Sequence, residues 1–575
     1  MNYKNKTFRR LATLIIAVGL LSIVLVSVQK FMPTSERMPS DTYFGFAEGT
    51  TEPSLGVEGE TVAAVVIDDY IAQERALIVS GNVYIDYTLV QSTLNSRFYW
   101  DSSEAVMLFT TADQVFEIPV NSSAYTIDGE SFDAGYEIVK TTSSGMFLAM
   151  NFLQQYSNLH FETYESPARV VITTGSVSVT VAEVKKDGVV RYRGGIKSAI
   201  LTDVTAGDTV TVIEQLENWT QIVTADGYIG YIKSNNLINI EETVRDTYYQ
   251  ADYSSISLDG RVNLVFHQIN YTAMNDNLSE DIAAVTGVNV ISPTWYYLSD
   301  NSGSILSYAS ASYVEEAHAA GLQVWVLVSN FSEDVSTSTL LATRSSRQTV
   351  QNYLIEQALE LDFDGINIDF EGIAQESGYD YVQFLRELSI LCRKYGIILS
   401  VDVPVPTEYS TQYNRKELGI ICDYIIMMGY DEHYSGSDAG SVASMDFEET
   451  GIQNMLLEIS KEKIISAIPF YSRLWYTETL SDGTTNVTSE VVTMSEAQEI
   501  LSEAGVTSAY DESTGQQYAE WTAADGRLCQ IWLEDADSVA ARAAFISEYE
   551  FGGIAAWRLG YESDDVWSAI TGSIS

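Results

Sequence analysis

Cysteine is scarce in this chain: Cys392, Cys422 and Cys529 are the only three in 575 residues. That is too few for a disulfide framework, and no CxxC pair or Cys/His cluster has zinc-like spacing, so they read as buried thiols. Four histidines leave little scope for metal or triad chemistry, and neither metal nor cofactor is expected. Basic residues are also few. Thirty-one lysines and arginines stand against 79 aspartates and glutamates, a formal net charge of −48 that excludes a nucleic-acid footprint and predicts a self-repelling surface.

What is present is length, enough for about two to four domains. Residues 1–10 form a basic tail with Lys4, Lys6, Arg9 and Arg10, followed by the uncharged run LATLIIAVGLLSIVLVSV at 11–28. The run reads as a transmembrane signal anchor with the tail in the cytoplasm and the rest outside. A cleaved signal peptide, and hence secretion, is the alternative, but SVQKFMPTSE offers no small-x-small cleavage site. A cell-membrane location with an extracellular catalytic domain is therefore expected. Residues 29–60, rich in Ser, Thr, Glu, Gly and Pro, read as a solvated linker.

From 61 to 165, short apolar stretches such as NVYIDYTLV and AVMLFTT recur between turn residues, with one helix at GMFLAMNFLQQYS: a β-rich α+β domain. Through IDYTLVQSTL, YTIDGESF and MNFLQQYS it resembles the stalk-like N-terminal domain of copper amine oxidases. With one histidine, His160, no copper is carried over. Residues 168–242 again read as strands, with a hairpin signal at Asp226-Gly227. The string ENWTQIVTADGYIGYI resembles bacterial SH3-like domains, which implies a small β-barrel that holds wall peptides or acts as a spacer. Residues 243–259 read as a second linker.

From about 260 the pattern changes. The runs VNLVFHQI, NVISPTWYYL, QVWVLVSN, FDGINIDFE, IILSVDVPVP, CDYIIMMGYD, KIISAIPFYSRLW and FGGIAAWRLG alternate with amphipathic stretches such as YDYVQFLRELSILCRKYG. Eight strands separated by helices predict a (β/α)8 TIM barrel over 260–575, with a small α+β insertion at 476–535. A doubly wound sheet is the alternative, but no Gly-rich phosphate turn follows the first strand.

Within the fourth run, LDFDGINIDFEG, residues alternate between apolar and acidic or amide types. In a barrel strand this points Ile366, Ile368 and Phe370 at the helices and Asn367, Asp369 and Glu371 inward. Inward polar groups cost stability unless paired, so the row marks a functional site. Glu371 comes last, at the strand end where barrel active sites lie. Burial and the neighbouring Asp369 carboxylate should raise a pKa, giving an acid able to protonate a leaving-group oxygen. An EF-hand does not fit this alternation; a magnesium site and a purely structural network are the remaining alternatives.

DGINIDFE matches the DGxDxDxE signature of family 18 glycoside hydrolases at all but one defined position, IMMGYD resembles the family's sixth-strand element, and GGIAAWRLG its last strand. SPTWY, the Asn in the acidic motif and IWLEDADS are closer to the subgroup of spore-cortex-lytic and related peptidoglycan N-acetylglucosaminidases. The resemblance implies substrate-assisted, retaining hydrolysis of β-linked N-acetylglucosamine. It implies Glu371 as proton donor and later base, Asp369 as the group that orients the acetamido group, Tyr430 as donor to its oxygen, and Trp557 as the floor beneath the sugar. One position departs from the signature: its middle acid is Asn367, which can still donate a hydrogen bond to Asp369. Asp364 is retained but out of phase with the inward row. Asp431 is a further supporting residue, and Trp295, Tyr296, Asn330, Arg473 and Trp475, near strand ends, are candidate substrate contacts. The expected partner is cell-wall glycan, peptidoglycan rather than chitin oligomers, with membrane attachment through the N-terminal helix. A catalytically silent glycan-binding scaffold is the competing function, and the sequence is silent on oligomeric state.

Overall fold

The structure, a computed structural model, describes residues 3–46 and 55–574, without the side chains of 3–7, 9 and 23–29. Residues 47–54 of the expected first linker lie outside the described residues. The chain divides into two units, Met1–Phe98 with Glu117–Ala251, and Tyr99–Phe116 with Asp252–Ser575.

In the first unit a helix runs over Tyr3–Phe31. Among the described residues no helix is long and apolar enough to cross a membrane. This corrects the expectation of a transmembrane anchor, of membrane attachment through it and of a membrane-held location. Within the expected linker, residues 34–46 are held at a few points although more than half of them are exposed. Thr34 and Met38 amides donate to Ile196 and Ile200 carbonyls, at 2.8 and 2.9 Å. Phe44 is 1% exposed, covered by Tyr228 and by the Arg169 guanidinium. Phe44 thus anchors a segment whose composition otherwise reads as solvated.

A seven-stranded sheet follows, with strand order Leu159–Glu165, Ala168–Thr174, Thr61–Ile67, Tyr70–Val79, Asn82–Asp86, Gly145–Ala149 and Val139–Thr142. Strand Ala168–Thr174 pairs in parallel with Thr61–Ile67 and so belongs to this sheet. A second seven-stranded antiparallel sheet, from Ser178–Val184 to Leu237–Val244, closes over Val184, Val190, Ile222 and Ile232.

The second unit is built on a closed ring of eight parallel strands: Val262–His267, Val290–Pro293, Gln323–Ser329, Gly365–Asp369, Ile398–Pro404, Tyr424–Met428, Ile464–Pro469 and Gly553–Trp557. This is the TIM barrel that the alternation of runs predicts. Leu264, Phe266, Leu327, Ile426, Ile465 and Ala555 fill its interior. Ile366, Ile368 and Phe370 face outward into the helix layer, where Phe370 stacks on Phe384 at 5.6 Å. Between the seventh and eighth strands lies a five-stranded antiparallel sheet, Tyr471–Thr479 to Leu528–Leu533, with the helix Met494–Ala504 packed on it.

Two fully buried arginines hold additions to this barrel. Arg347 pairs with Glu387 and with Asp101 of the Tyr99–Phe116 segment, each at 3.2 Å. Arg542, on helix Ala536–Glu548, pairs at 3.0 Å with Glu534, next to the insertion's last strand, and with Glu448, on helix Met445–Leu456. Glu534 also accepts from Gln516 of the insertion at 2.6 Å, and Glu448 from Ser466 of the seventh barrel strand at 2.9 Å. Burial pushes both carboxyls up to about 7, against the pull of Arg542.

Candidate active site

Where the fourth strand ends, the barrel opens into a cavity of about 440 Å³. Its lining includes Glu371, Tyr409, Tyr413, Tyr430, Asp431 and Phe447, all C-terminal to barrel strands or on the loops and helices beyond them. Barrel geometry places them there: parallel strands deliver the loops that follow them to one rim.

Glu371 is held by its backbone. The Asn330 side-chain amide, one residue past the third strand, donates to the Glu371 carbonyl at 2.9 Å and accepts from the Glu371 amide at 3.0 Å. Removal from water raises the Glu371 carboxyl, and the charge of Asp431 adds to the effect. Although Glu371 is open to the cavity, the surrounding walls make its carboxyl hold its proton to higher pH than one in bulk water, as a general acid requires. Asn330 thus occupies a positioning place beneath the acid. Asn330→Ala lowers kcat by about tenfold or more with KM little changed, because the carboxyl loses its fixed height above the cavity. Steady-state kinetics together with an unfolding midpoint check this.

Beneath Glu371 lies a buried polar layer. Asp369 is 6% exposed, and its Oδ1 has no hydrogen-bond partner. Burial and then the Glu371 charge push its carboxyl well up. Asn367 is fully buried and does not donate to Asp369. Its Nδ2 donates instead to Asp402 on the fifth strand at 3.0 Å, while its Oδ1 accepts from Ser400 at 3.1 Å.

Tyr430 lines the cavity two residues past the sixth strand, its ring 6.3 Å from that of Tyr471. Burial, reinforced by Asp402, keeps its phenol protonated and hence a donor. Asp431 accepts from Tyr471 at 2.7 Å and faces Arg473 at 3.8 Å, which ties the cavity wall to the insertion. Trp557 ends the eighth strand, half-buried against Phe266 at 5.5 Å, and is absent from the lining of the 440 Å³ cavity.

Four predicted residues lie elsewhere. Trp295 and Tyr296 are completely buried: Trp295 donates to Asn275 at 2.9 Å, and Tyr296 packs on Tyr353 and Phe363 in the outer core. Trp475 is 1% exposed and donates to the Gly440 carbonyl at 2.8 Å, stapling the insertion. None of the three offers a ring face to a ligand. Asp364 accepts from the Val324 amide at 2.8 Å and meets His318 at 2.9 Å, at the opposite end of the strand from the cavity. Sequence reasoning missed Asp402, although IILSVDVP carries the signal: Ser400 lies in register with Asn367, so Asp402 points inward too. Among the described residues no group of three or more His, Cys, Asp or Glu is arranged to hold a metal.

A family model described as glycosyl hydrolases family 18 matches residues 262–562, the barrel and its insertion. The chain belongs to glycosyl hydrolase family 18. This hydrolase also carries a match to the bacterial SH3 domain at residues 188–238, within the second sheet of its first unit. Over 283 residues it is 24% identical to an uncharacterized glycosylase, YvbX, of Bacillus subtilis, covering 47% of this chain and 80% of that protein. Over 235 residues it is 27% identical to the cortical fragment-lytic enzyme of Bacillus subtilis, covering 40% of this chain and 54% of that enzyme's length. Among solved structures, the C-terminal domain of a putative chitinase from Desulfitobacterium hafniense shares the fold, with a TM-score of 0.51 and 19% identity over 55% of this chain and 99% of that one. The family 18 hydrolase therefore has its glycosidic-bond chemistry in the barrel, where the cavity lies.

Proposed function

We propose that this family 18 hydrolase cleaves β-linked N-acetylglucosamine in cell-wall peptidoglycan or its fragments, with the substrate's own acetamido group as nucleophile. The observation that carries the reading is the stack of Glu371 at the cavity over the buried Asp369, with Tyr430 beside them.

Glu371 protonates the glycosidic oxygen, and its raised pKa matches that task. The acetamido oxygen closes on the anomeric carbon as the leaving group departs. Asp369 accepts from the acetamido N–H and stabilises the positive charge that develops there, and Tyr430 donates to the acetamido oxygen to hold it in line. Glu371, now a carboxylate, takes a proton from water as that water opens the ring, so the β configuration returns. Asp431 is engaged by Tyr471 and Arg473, which favours the internal nucleophile over a second enzymic carboxylate. Trp557, which lies outside the lining of the 440 Å³ cavity, would offer its partly exposed face to the sugar only beyond that cavity.

Peptidoglycan is favoured over chitin by the relative named for cortical-fragment lysis and by the SH3 segment upstream. Digestion of purified peptidoglycan by the full chain, followed by mass spectrometry, tests this. Products ending in reducing N-acetylglucosamine support the reading. Products from chitin oligomers alone would transfer the activity to chitin, and glycan binding without products would favour the scaffold.

A further inference from the structure

The middle acid of the family signature is an amide here, so Asp369 has no carboxyl two residues before it on its own strand. The neighbouring strand supplies one. Asn367 lies opposite Ser400 and Ile368 opposite Val401, so Asp369 and Asp402 follow one step further along adjacent parallel strands. Both are buried, at 6% and 3% exposure. Each has an Oδ1 without a hydrogen-bond partner. Asp402 uses its other oxygen to accept from Asn367, whose own oxygen is held by Ser400. Asn367 thus fixes the orientation of Asp402 and cannot itself exchange a proton.

Two buried carboxylate oxygens without donors repel each other when both groups are ionised. They become a donor and an acceptor when one proton lies between them. We propose that Asp402 is the proton partner of Asp369, holding a single shared proton between their Oδ1 atoms, so that the acid missing at Asn367 is supplied from the fifth strand. Asp369 then remains oriented with its other oxygen available to the substrate, and the pair carries one negative charge rather than two. Burial pushes both carboxyls up, reinforced by the charge of Glu371 at Asp369 and by that of Asp369 at Asp402, which accords with one proton being retained. The titratable groups facing the pair are Glu371 above it, Tyr430 just past the sixth strand, and Tyr381 and Tyr413 from the helical side, all of them acids.

Asp402 is a positioning residue in this account, and its test has an arm that does not depend on turnover. Infrared spectra of the full chain at pH 7 should contain a carboxylic-acid carbonyl band that is lost in Asp402→Asn. Buried Glu448 and Glu534 contribute equally to both spectra and cancel in the difference. The kinetic arm rests on the proposed reaction. Asp402→Ala lowers kcat by about 100-fold and Asp402→Asn by about tenfold, since the amide keeps a hydrogen bond but not a transferable proton. The double variant Asn367→Asp/Asp402→Asn returns the acid to the fourth strand and restores kcat to within about threefold of the starting enzyme. A purely structural Asp402 predicts no such rescue. An unchanged band in Asp402→Asn, or a folded double variant no more active than Asp402→Ala, overturns the proposal. Absence of turnover in the unaltered chain would instead count against the proposed reaction, and the infrared comparison would still decide the pair.

Discussion

Replacing Glu371 with glutamine lowers kcat by about a thousandfold or more while leaving glycan affinity nearly unchanged. The substitution keeps the side-chain volume and the Asn330 clamp, which acts on the Glu371 backbone. What is removed is the transferable proton, needed only as the glycosidic bond breaks, so the loss falls on kcat rather than on binding. The pH dependence has a definite sign. Glu371 must be protonated to act, and its pKa is raised by burial and then by Asp431. Activity is therefore full below that raised value and falls as pH climbs through it, at a higher pH than an exposed carboxyl would set. Asp431→Asn removes the second cause and moves this alkaline limb to lower pH. Initial rates across pH for the three proteins, with affinity measured by calorimetry, check each step. A Glu371→Gln enzyme retaining a tenth of its rate would require another proton donor.

Arg542→Ala destabilises the barrel by about 3–5 kcal/mol at pH 8, because it leaves Glu448 and Glu534 buried without their counter-charge. The loss depends on pH. Both glutamates have folded pKa values raised to about 7, above the ordinary 4.5 of a glutamate, so the folded state binds more protons than the unfolded state between these values. Their contribution consequently weakens stability as pH rises from about 4.5 to about 7. Without Arg542 only the hydrogen bonds from Ser466 and Ser538 still draw the two pKa values down, and the decline extends to higher pH. At pH 5 both groups are protonated in the folded chain, and the variant differs from its parent mainly by lost hydrogen bonds and packing. Urea unfolding at pH 5 and pH 8 should therefore show a gap that widens with pH. A gap constant across that range would mean that the carboxyls are already neutral at pH 8.

The barrel was legible because strand and helix periods differ and the apolar runs alternate cleanly between them. The acidic row was legible for a related reason: a period of two in GINIDFE sorts its side chains onto two faces without knowledge of any neighbour. Asp402 has the same period in ILSVDVP, but its meaning depends on register with the fourth strand, which is a property of the sheet. Trp295 and Tyr296 misled because an aromatic at a strand end reads alike whether it faces the mouth or the helices. Here the second strand ends at Pro293 and a short strand begins at Tyr296, turning both rings into the outer core. The Arg542 cluster joins residues separated by as many as 94 positions, from Glu448 to Arg542, and no local pattern announces it. Phe44 is a similar case, a single anchor within polar composition.

The most direct test of the central account is the anomeric configuration of the first product, followed by proton NMR during hydrolysis of a β-linked N-acetylglucosamine oligomer by the full chain. Attack by the acetamido oxygen followed by water predicts that the β-anomer forms first and that the α-anomer grows in only at the rate of mutarotation. Initial release of the α-anomer would contradict internal nucleophilic attack and turn attention to a water activated by Asp431.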